Sequence, residues 1–562
     1  MTAPRGGSPQ HPPPPAGQPF GGPFPAGDPD PHAGSARTGP SGGPTPARGT
    51  LLVADRVVTL GHARTDARAV LVRGSRVVWV GDDPAQAPEH RDQIDLSGCV
   101  IGPAFVDAHV HLTPTGIAER GLDLSSVNSG EDLLRAVWLF AQQHTGRVIW
   151  GQGFDPHHFA DDLPTPEDLA RCAGGRAVYL SRVDGHAGLA DVRTLASAPL
   201  SRAQGVERDA DGHIVGLLRR EANHIVRRWA VGAMDDDELA AARVEVMRLA
   251  ASRGIGSVHE MGGPDIMGRD DFDVWARGQW PIEVIPYWGG LDLEVPVAHG
   301  LRQAGGDLFL DGSIGARTAA LSEPYADHPE TSGSLEHDDD TLIDWLEEAT
   351  RAGLQVGVHA IGDAAMRQFV RCLGATLHRL PEGGRDTLRR LRHRIEHAEL
   401  VPPDVLDALP ELGVIASVQP VFEERWGGPG GLYESRLGPE RARLMNPYRA
   451  FADRGVGVAF GSDSNVTPMD PWGATHAAER RRHPEHAVSR LEAVSMHTLG
   501  GRSAARQERF VGVVRAGQRA DLAVFEGDPY EAEDPRGSRC VLTVVQGRVA
   551  HGEAPLPRSV DI

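Results

Sequence analysis

The sequence predicts an α/β fold, a (β/α)8 TIM barrel carrying a small composite β-sandwich made from both chain ends. Three observations lead there. Eight short apolar runs of β character are separated, for the most part, by amphipathic helical stretches, the mark of a parallel sheet that can close on itself. Polar residues stand at the ends of those runs, where barrel chemistry is placed. Short strand-like segments bounded by Gly, Asp and Arg-Gly turns recur near both ends of the chain.

Taken in order, residues 1–48 hold 14 of the 43 prolines and almost no aliphatic side chains. Such a segment cannot bury enough surface to offset the entropy of ordering, so a disordered tail is expected. From Leu51 the pattern changes to β-type runs at 51–53, 57–60, 69–72 and 76–80, continuing to Val100-Ile101, and residues 521–525 and 541–549 share it. Pairing the two ends gives a satellite domain of 49–104 plus 505–555, with the barrel, 105–504, inserted between them. The eight barrel runs are 105–111, 255–260, 282–287, 308–311, 356–359, 394–397, 414–418 and 456–461, and helical stretches such as 237–253, 341–352 and 364–378 lie between them. An open doubly wound sheet is the competing fold, weakened by the absence of Gly-x-Gly-x-x-Gly after a strand. The gap at about 112–250 is too long for one loop and has β-like runs of its own (148–150, 177–182). An excursion of that size is expected over the mouth of the barrel.

Composition narrows the function. Asp and Glu total 77 against 57 Lys and Arg, a formal charge of -20, which argues against nucleic acid or an anionic membrane as the main partner. A small-molecule substrate is expected, and a homo-oligomer stays open. The four cysteines are too far apart for a CxxC-type zinc site and suggest no disulfide framework, so a reducing cytosol is expected. With no signal-peptide core and no run of about 20 apolar residues, the expectation is a soluble cytoplasmic protein.

The chemistry centres on Phe105-Val106-Asp107-Ala108-His109-Val110-His111. Side chains alternate along a strand, so both imidazoles leave the same face, close enough to share one metal ion. Further along, Glu260, Asp311, His359 and His397 end later runs, and Asp463 follows the eighth. All would converge on one mouth. Four histidines and an aspartate suit zinc or a similar divalent ion, and a site that leaves one position open to water is catalytic.

Several ordered stretches resemble the successive motifs of the amidohydrolase superfamily, in particular its family 3 (YtcJ-like) branch, which includes N-substituted formamide deformylases. They are 102–111, Asp311-Gly312-Ser313 with the following Ile314 to Ala319, His359-Ala360-Ile361-Gly362-Asp363, Arg394-Ile395-Glu396-His397-Ala398 and Gly461-Ser462-Asp463. The closing stretch 517–525 resembles the branch's C-terminal strand. The resemblance runs from about Leu51 to Val549. It implies a metal-dependent hydrolase with His109, His111, His359, His397 and Asp463 at metal-binding positions, and Asp463 also acting as general base and acid. No organic cofactor is required. Arg317 and His186 match frequently occurring family positions and are candidate substrate contacts, the alternative being a solvated loop residue.

Two departures stand out. Gly102-Pro103-Ala104 replaces the more usual Pro-Gly, a change confined to a turn. The branch often has a lysine four residues before Asp-Gly-Ser that bridges two metals when carboxylated. Asp307 stands there instead, and it is shorter than that lysine. One tightly held divalent ion, zinc, is therefore expected, with a second left open. Glu260 is a candidate carboxylate ligand, or else an acceptor that orients a ligand histidine. The glycine-rich stretch 419–436, with Trp426 and Tyr433, reads either as a mobile flap or as a plain surface loop. The expected activity is hydrolysis of a non-peptide C–N bond of amide or N-formyl type. The alternatives are deamination or another hydrolysis within the superfamily, or a catalytically silent metal-binding protein, which would have no need of the base Asp463.

Overall fold

The computed structural model describes residues 49–61, 66–156, 159, 162–183, 187–208, 212–215 and 217–560. The Pro/Gly-rich stretch 1–48 lies outside them.

Seven of the eight expected barrel runs form parallel strands: Phe105–Val110, Ile255–Gly262, Glu283–Trp288, Gln355–Ala360, Arg394–His397, Ile415–Val418 and Gly457–Phe460. The first three pair as one arc and the last four as another, and the arcs meet at two seams. At one seam the Asp463 N–H donates to the His109 carbonyl at 2.8 Å and the His111 N–H to the Ser464 carbonyl at 2.9 Å. At the other, the Gly305 N–H donates to the Trp288 carbonyl at 2.9 Å. The first strand is buried along its whole length, as expected where helices cover a parallel sheet.

The fourth run behaves differently. Within 308–311 only Phe309 bridges to a neighbour, His359, while the two-residue strand Gln303–Ala304 takes the pairing with Gln355–Ala360. Gly305 and Gly306 have φ of 68° and 82°, and an added Cβ would come within 2.1 Å of the Gly357 carbonyl oxygen or 2.6 Å of the Tyr287 side chain. The left-handed pair breaks the strand just before Asp307.

The covering helices start where their caps dictate. Asp235 and Glu238 form a capping box at the head of Asp236–Ser252, and the Asp338 side chain accepts from the Thr341 N–H at the head of Asp339–Arg351. Leu342, Leu346, Met366 and Phe369 from the outer helices pack with Val356, Val358, Ile395 and Ala416 from the strands in one buried core. The long excursion folds around its own five-stranded sheet, in the order Leu218–Arg219, Ala187–Ala190, Ala177–Arg182, Val148–Phe154, Leu122–Asp123.

The composite β layer is a single seven-stranded sheet joining both chain ends. Its central contact pairs His90–Pro103 antiparallel with Leu522–Glu526. Where this layer meets the barrel, Arg502, Arg519, Glu283 and Asp521 form a buried cluster. Arg519 Nη2 lies 2.6 Å from both Glu283 Oε2 and Asp521 Oδ2, Arg502 Nη2 lies 2.8 Å from Asp521 Oδ2, and Arg502 also pairs with Glu283. Among the described residues no helix is long and apolar enough to cross a membrane.

Candidate metal centre

The barrel mouth gathers the residues that the sequence scatters over some 350 positions. His111 Nε2 is 3.1 Å from Asp463 Oδ1, and His109 Nε2 is 3.6 Å from the same oxygen. Across the site, His359 Nδ1 and His397 Nε2 lie 3.1 and 3.4 Å from Asp307 Oδ1. Asp307 Oδ2 is 3.6 Å from His111 Nε2. Three overlapping groups result, each with its ligand atoms within 4.8 Å of one another: His109, His111 and Asp307; His109, His397 and Asp463; Asp307, His359 and His397.

Local backbone shape aims these side chains. Glu396 and His397 are adjacent on a strand and by alternation should face opposite ways, yet His397 joins the cluster while Glu396 reaches His109. His397 has φ of 70° and Asp463 has φ of 51°, a left-handed conformation that is uncommon for such residues and concentrates at functional sites. While His359 turns Nδ1 to Asp307 Oδ1 inside the cluster, the other three rings use Nδ1 against an acceptor outside it: His109 on Glu396 Oε2 at 2.9 Å, His111 on the Met261 carbonyl at 2.9 Å and His397 on Gln419 Oε1 at 2.8 Å. Each therefore turns Nε2 toward the cluster, the arrangement metal-binding histidines adopt.

The donor set fits a divalent cation. Imidazole nitrogens and carboxylate oxygens are its ordinary partners. Moreover, His109 Nε2 is buried without a hydrogen-bond partner, an arrangement that is costly unless something else satisfies the atom. Burial opposes charge on the rings, but hydrogen bonds to Asp463 and Asp307 outweigh it and push His111 up to about 9 and His397 up to about 10. Burial would likewise raise Asp307, but the hydrogen bonds from His359 and His397 hold it well below the usual carboxylate range. A bound cation would take the place of those protons.

Asp307 lies inside the cluster although it is shorter than the lysine it replaces: it follows the Gly305-Gly306 break, and its Oδ1 lies 3.1 and 3.4 Å from His359 and His397 and its Oδ2 3.6 Å from His111. Glu260 lies outside all three groups. Its Oε2 accepts the Leu112 N–H at 2.7 Å, serving the first turn of the helix Leu112–Arg120, and burial, with the charge of Asp271, pushes its carboxyl up to about 8. Asp311 accepts the N–H groups of Ala320, Ile361 and Gly362 at 2.8–3.0 Å and so organises the loops beside His359.

Of the substrate candidates, Arg317 is paired with Asp327 at 2.6 Å, and Arg436 binds the same carboxylate. His186 lies outside the described residues. The 419–436 stretch contains the helices Pro420–Trp426 and Leu432–Leu437, and Tyr433 and Leu437 pack with Ile314, Leu321 and Tyr325 in a buried cluster. Two aromatic rings that carry no signal in the sequence stand beside histidines of the cluster: Phe309 with its centroid 4.7 Å from that of His359, and Phe422 stacked 6.0 Å from His397.

A barrel with four histidines and two aspartates gathered at its mouth defines the class of metal-dependent hydrolases acting on C–N bonds. The chain belongs to the amidohydrolase family, whose sequence profile matches residues 92–551, and within it to family 3, the YtcJ-like branch. It is 28% identical over 503 residues to the amidohydrolase-family protein YtcJ of Bacillus subtilis, covering 82% of this chain and 90% of that one. It is 23% identical over 530 residues to an N-substituted formamide deformylase of Arthrobacter pascens, covering 87% and 95%. The crystal structure of an uncharacterized metal-dependent hydrolase from Pyrococcus furiosus superposes with a TM-score of 0.72 at 28% identity, over 86% of this chain and all of the other.

Proposed function

We propose that the protein hydrolyses a small non-peptide amide or N-formyl group with the help of two divalent cations, zinc by donor chemistry, which Asp307 and the four histidines would help to hold. His109, His111 and Asp463 would hold one cation and His359 and His397 the other. The observation that carries this reading is the split of Asp307, one oxygen toward His359 and His397 and the other toward His111. The formamide deformylase relative supports the N-formyl choice.

When bound, the cations supply an acidified water and polarise the scissile carbonyl. Asp463 does the proton work. Its Oδ1 faces the cluster, and burial, which would raise its pKa, is outweighed by His111, His109 and His397, so the carboxylate stays ionised and ready to accept a proton. It takes the proton from the attacking water and returns it to the leaving nitrogen as the tetrahedral adduct collapses. Phe309 and Phe422 supply apolar walls against which an N-substituent can rest.

The test is a screen of formamides, acyl amides, ureas and esters on metal-loaded protein, followed by two variants. Asp463→Asn should lower turnover per bound metal by roughly 10²–10⁴-fold, the range typical of losing acid-base catalysis. His109→Ala should lose metal and activity together. Near-normal turnover of Asp463→Asn at full metal occupancy would sink the mechanism.

A further inference from the structure

Behind the mouth, the barrel axis carries a charge pair that none of the family comparisons explains. On Arg394–His397, Arg394 and Glu396 share one face of a fully buried strand, and both are completely inaccessible. Arg394 Nε and Nη2 donate to Glu396 Oε1 and Oε2 at 2.8 and 2.9 Å. Around the same guanidinium, Nη1 lies 3.0 Å from the Tyr287 hydroxyl and 2.7 Å from His259 Nδ1, and Nη2 lies 2.6 Å from the Ala108 carbonyl and 3.0 Å from Ser417 Oγ. One guanidinium thus ties together five barrel strands. Gly357, on the neighbouring strand, leaves the room this needs, since a Cβ there would stand 3.0 Å from Glu396 Oε1.

The pair does not close on itself. Glu396 Oε2, already accepting from Arg394, lies 2.9 Å from His109 Nδ1. A carboxylate can only accept, so the ring proton sits on Nδ1, and Nε2, buried and without a partner, is left with its lone pair toward the ligand cluster. Arg394 meanwhile grips the carbonyl of Ala108, the residue before His109. Backbone and ring are held from the same guanidinium, one directly and one through Glu396.

We infer that Glu396, fixed by Arg394, is a positioning residue that sets the tautomer and aim of His109 as a cation ligand. The inference rests on the metal reading proposed above. Carboxylates that take the far nitrogen of a ligand histidine raise its basicity, and their loss typically weakens metal binding by about 10–100-fold.

The experiment uses the full chain with Zn²⁺ in a chelator competition and Co²⁺ for its absorption spectrum. Glu396→Gln is nearly isosteric but leaves Arg394 without its counter-charge. Arg394→Gln/Glu396→Gln removes both charges together, a change that buried pairs tolerate better than loss of one partner. Folded variants should bind Zn²⁺ roughly 10–100-fold more weakly and show an altered Co²⁺ spectrum. Folded variants with wild-type affinity and spectrum would overturn the positioning role alone, whereas a wild-type chain that binds neither ion would overturn the metal reading and this inference with it. A measurement on the wild type covers the case in which neither variant folds. In ¹⁵N-histidine-labelled protein, His109, assigned by loss of its signal in His109→Gln, should carry its proton on Nδ1, and an unprotonated Nδ1 would overturn the inference.

Discussion

Arg394 with Glu396 and Arg502 with Glu283 and Asp521 are both buried ion clusters built from the same side chains, one on the barrel axis and one at the joint with the β layer. The axial cluster ends on a histidine that has a free nitrogen. The joint cluster closes on itself through Arg519, and Asp521 also accepts the Gln546 N–H at 2.7 Å, locking the barrel to the sheet. Identical chemistry therefore serves two ends. What separates them is whether the last acceptor faces another protein group or the ligand cluster.

Removing Arg502 should give the largest change in stability. Arg502→Met leaves Glu283 and Asp521 to share Arg519 in a buried setting, and loss of one partner in such a cluster costs roughly 3–5 kcal/mol. Chemical denaturation should report that drop, while metal bound per folded chain stays at the wild-type level. A loss of metal in the folded fraction would erase the distinction between the two clusters.

Asp307→Asn probes the cluster at the mouth. It keeps the size of the side chain but removes its charge, so one carboxylate of the cluster is lost while the histidines and Asp463 remain. Elemental analysis after dialysis should fall from about two ions per chain toward about one, with a matching fall in melting temperature of the metal-loaded protein. A wild-type value near one would return the site to the single-ion form expected from the sequence.

The smallest effect is expected at the surface. Hydrogen bonding to Arg317, with burial opposing and Arg436 adding to it, holds Asp327 down at about 2. A depressed carboxyl contributes stability above its unfolded value near 4, and that contribution is lost as pH falls toward 2. Asp327→Asn should therefore cost under about 1 kcal/mol at pH 6 and less at pH 3, as measured by the gap in melting temperature. A gap that widens in acid would mean that the clasp does not act through its charge.

Much of this could be read from the sequence, and the exceptions have physical causes. His109, His111, His359, His397 and Asp463 were legible because each lies near or just past the end of an apolar run, and runs in a parallel barrel point their ends the same way. The reach of the Asp307 side chain says little of its place, which depends on the Gly305-Gly306 backbone break, a feature that leaves no periodic signal. Glu396 lay unused beside His397 in the same motif. The signal was present: Arg394 and Glu396 are two residues apart, so alternation places opposite charges on one face of a strand with no exposed side. Arg317 was legible as a motif residue, but its partner Asp327 lies in a loop where sequence spacing carries no geometry.

The pairing of His90–Pro103 with Leu522–Glu526 sets the order in which the chain can be completed on the ribosome. The first strand emerges roughly four hundred residues before its partner, and at about 5–20 residues per second it waits on the order of 20–80 s with one edge unpaired. Throughout that interval Val100 and Ile101 have no neighbour on that side, and an open apolar edge invites pairing with another nascent chain. A delay in translation between the codons of these two strands would therefore lower the yield of soluble protein more than an equal delay before the first of them.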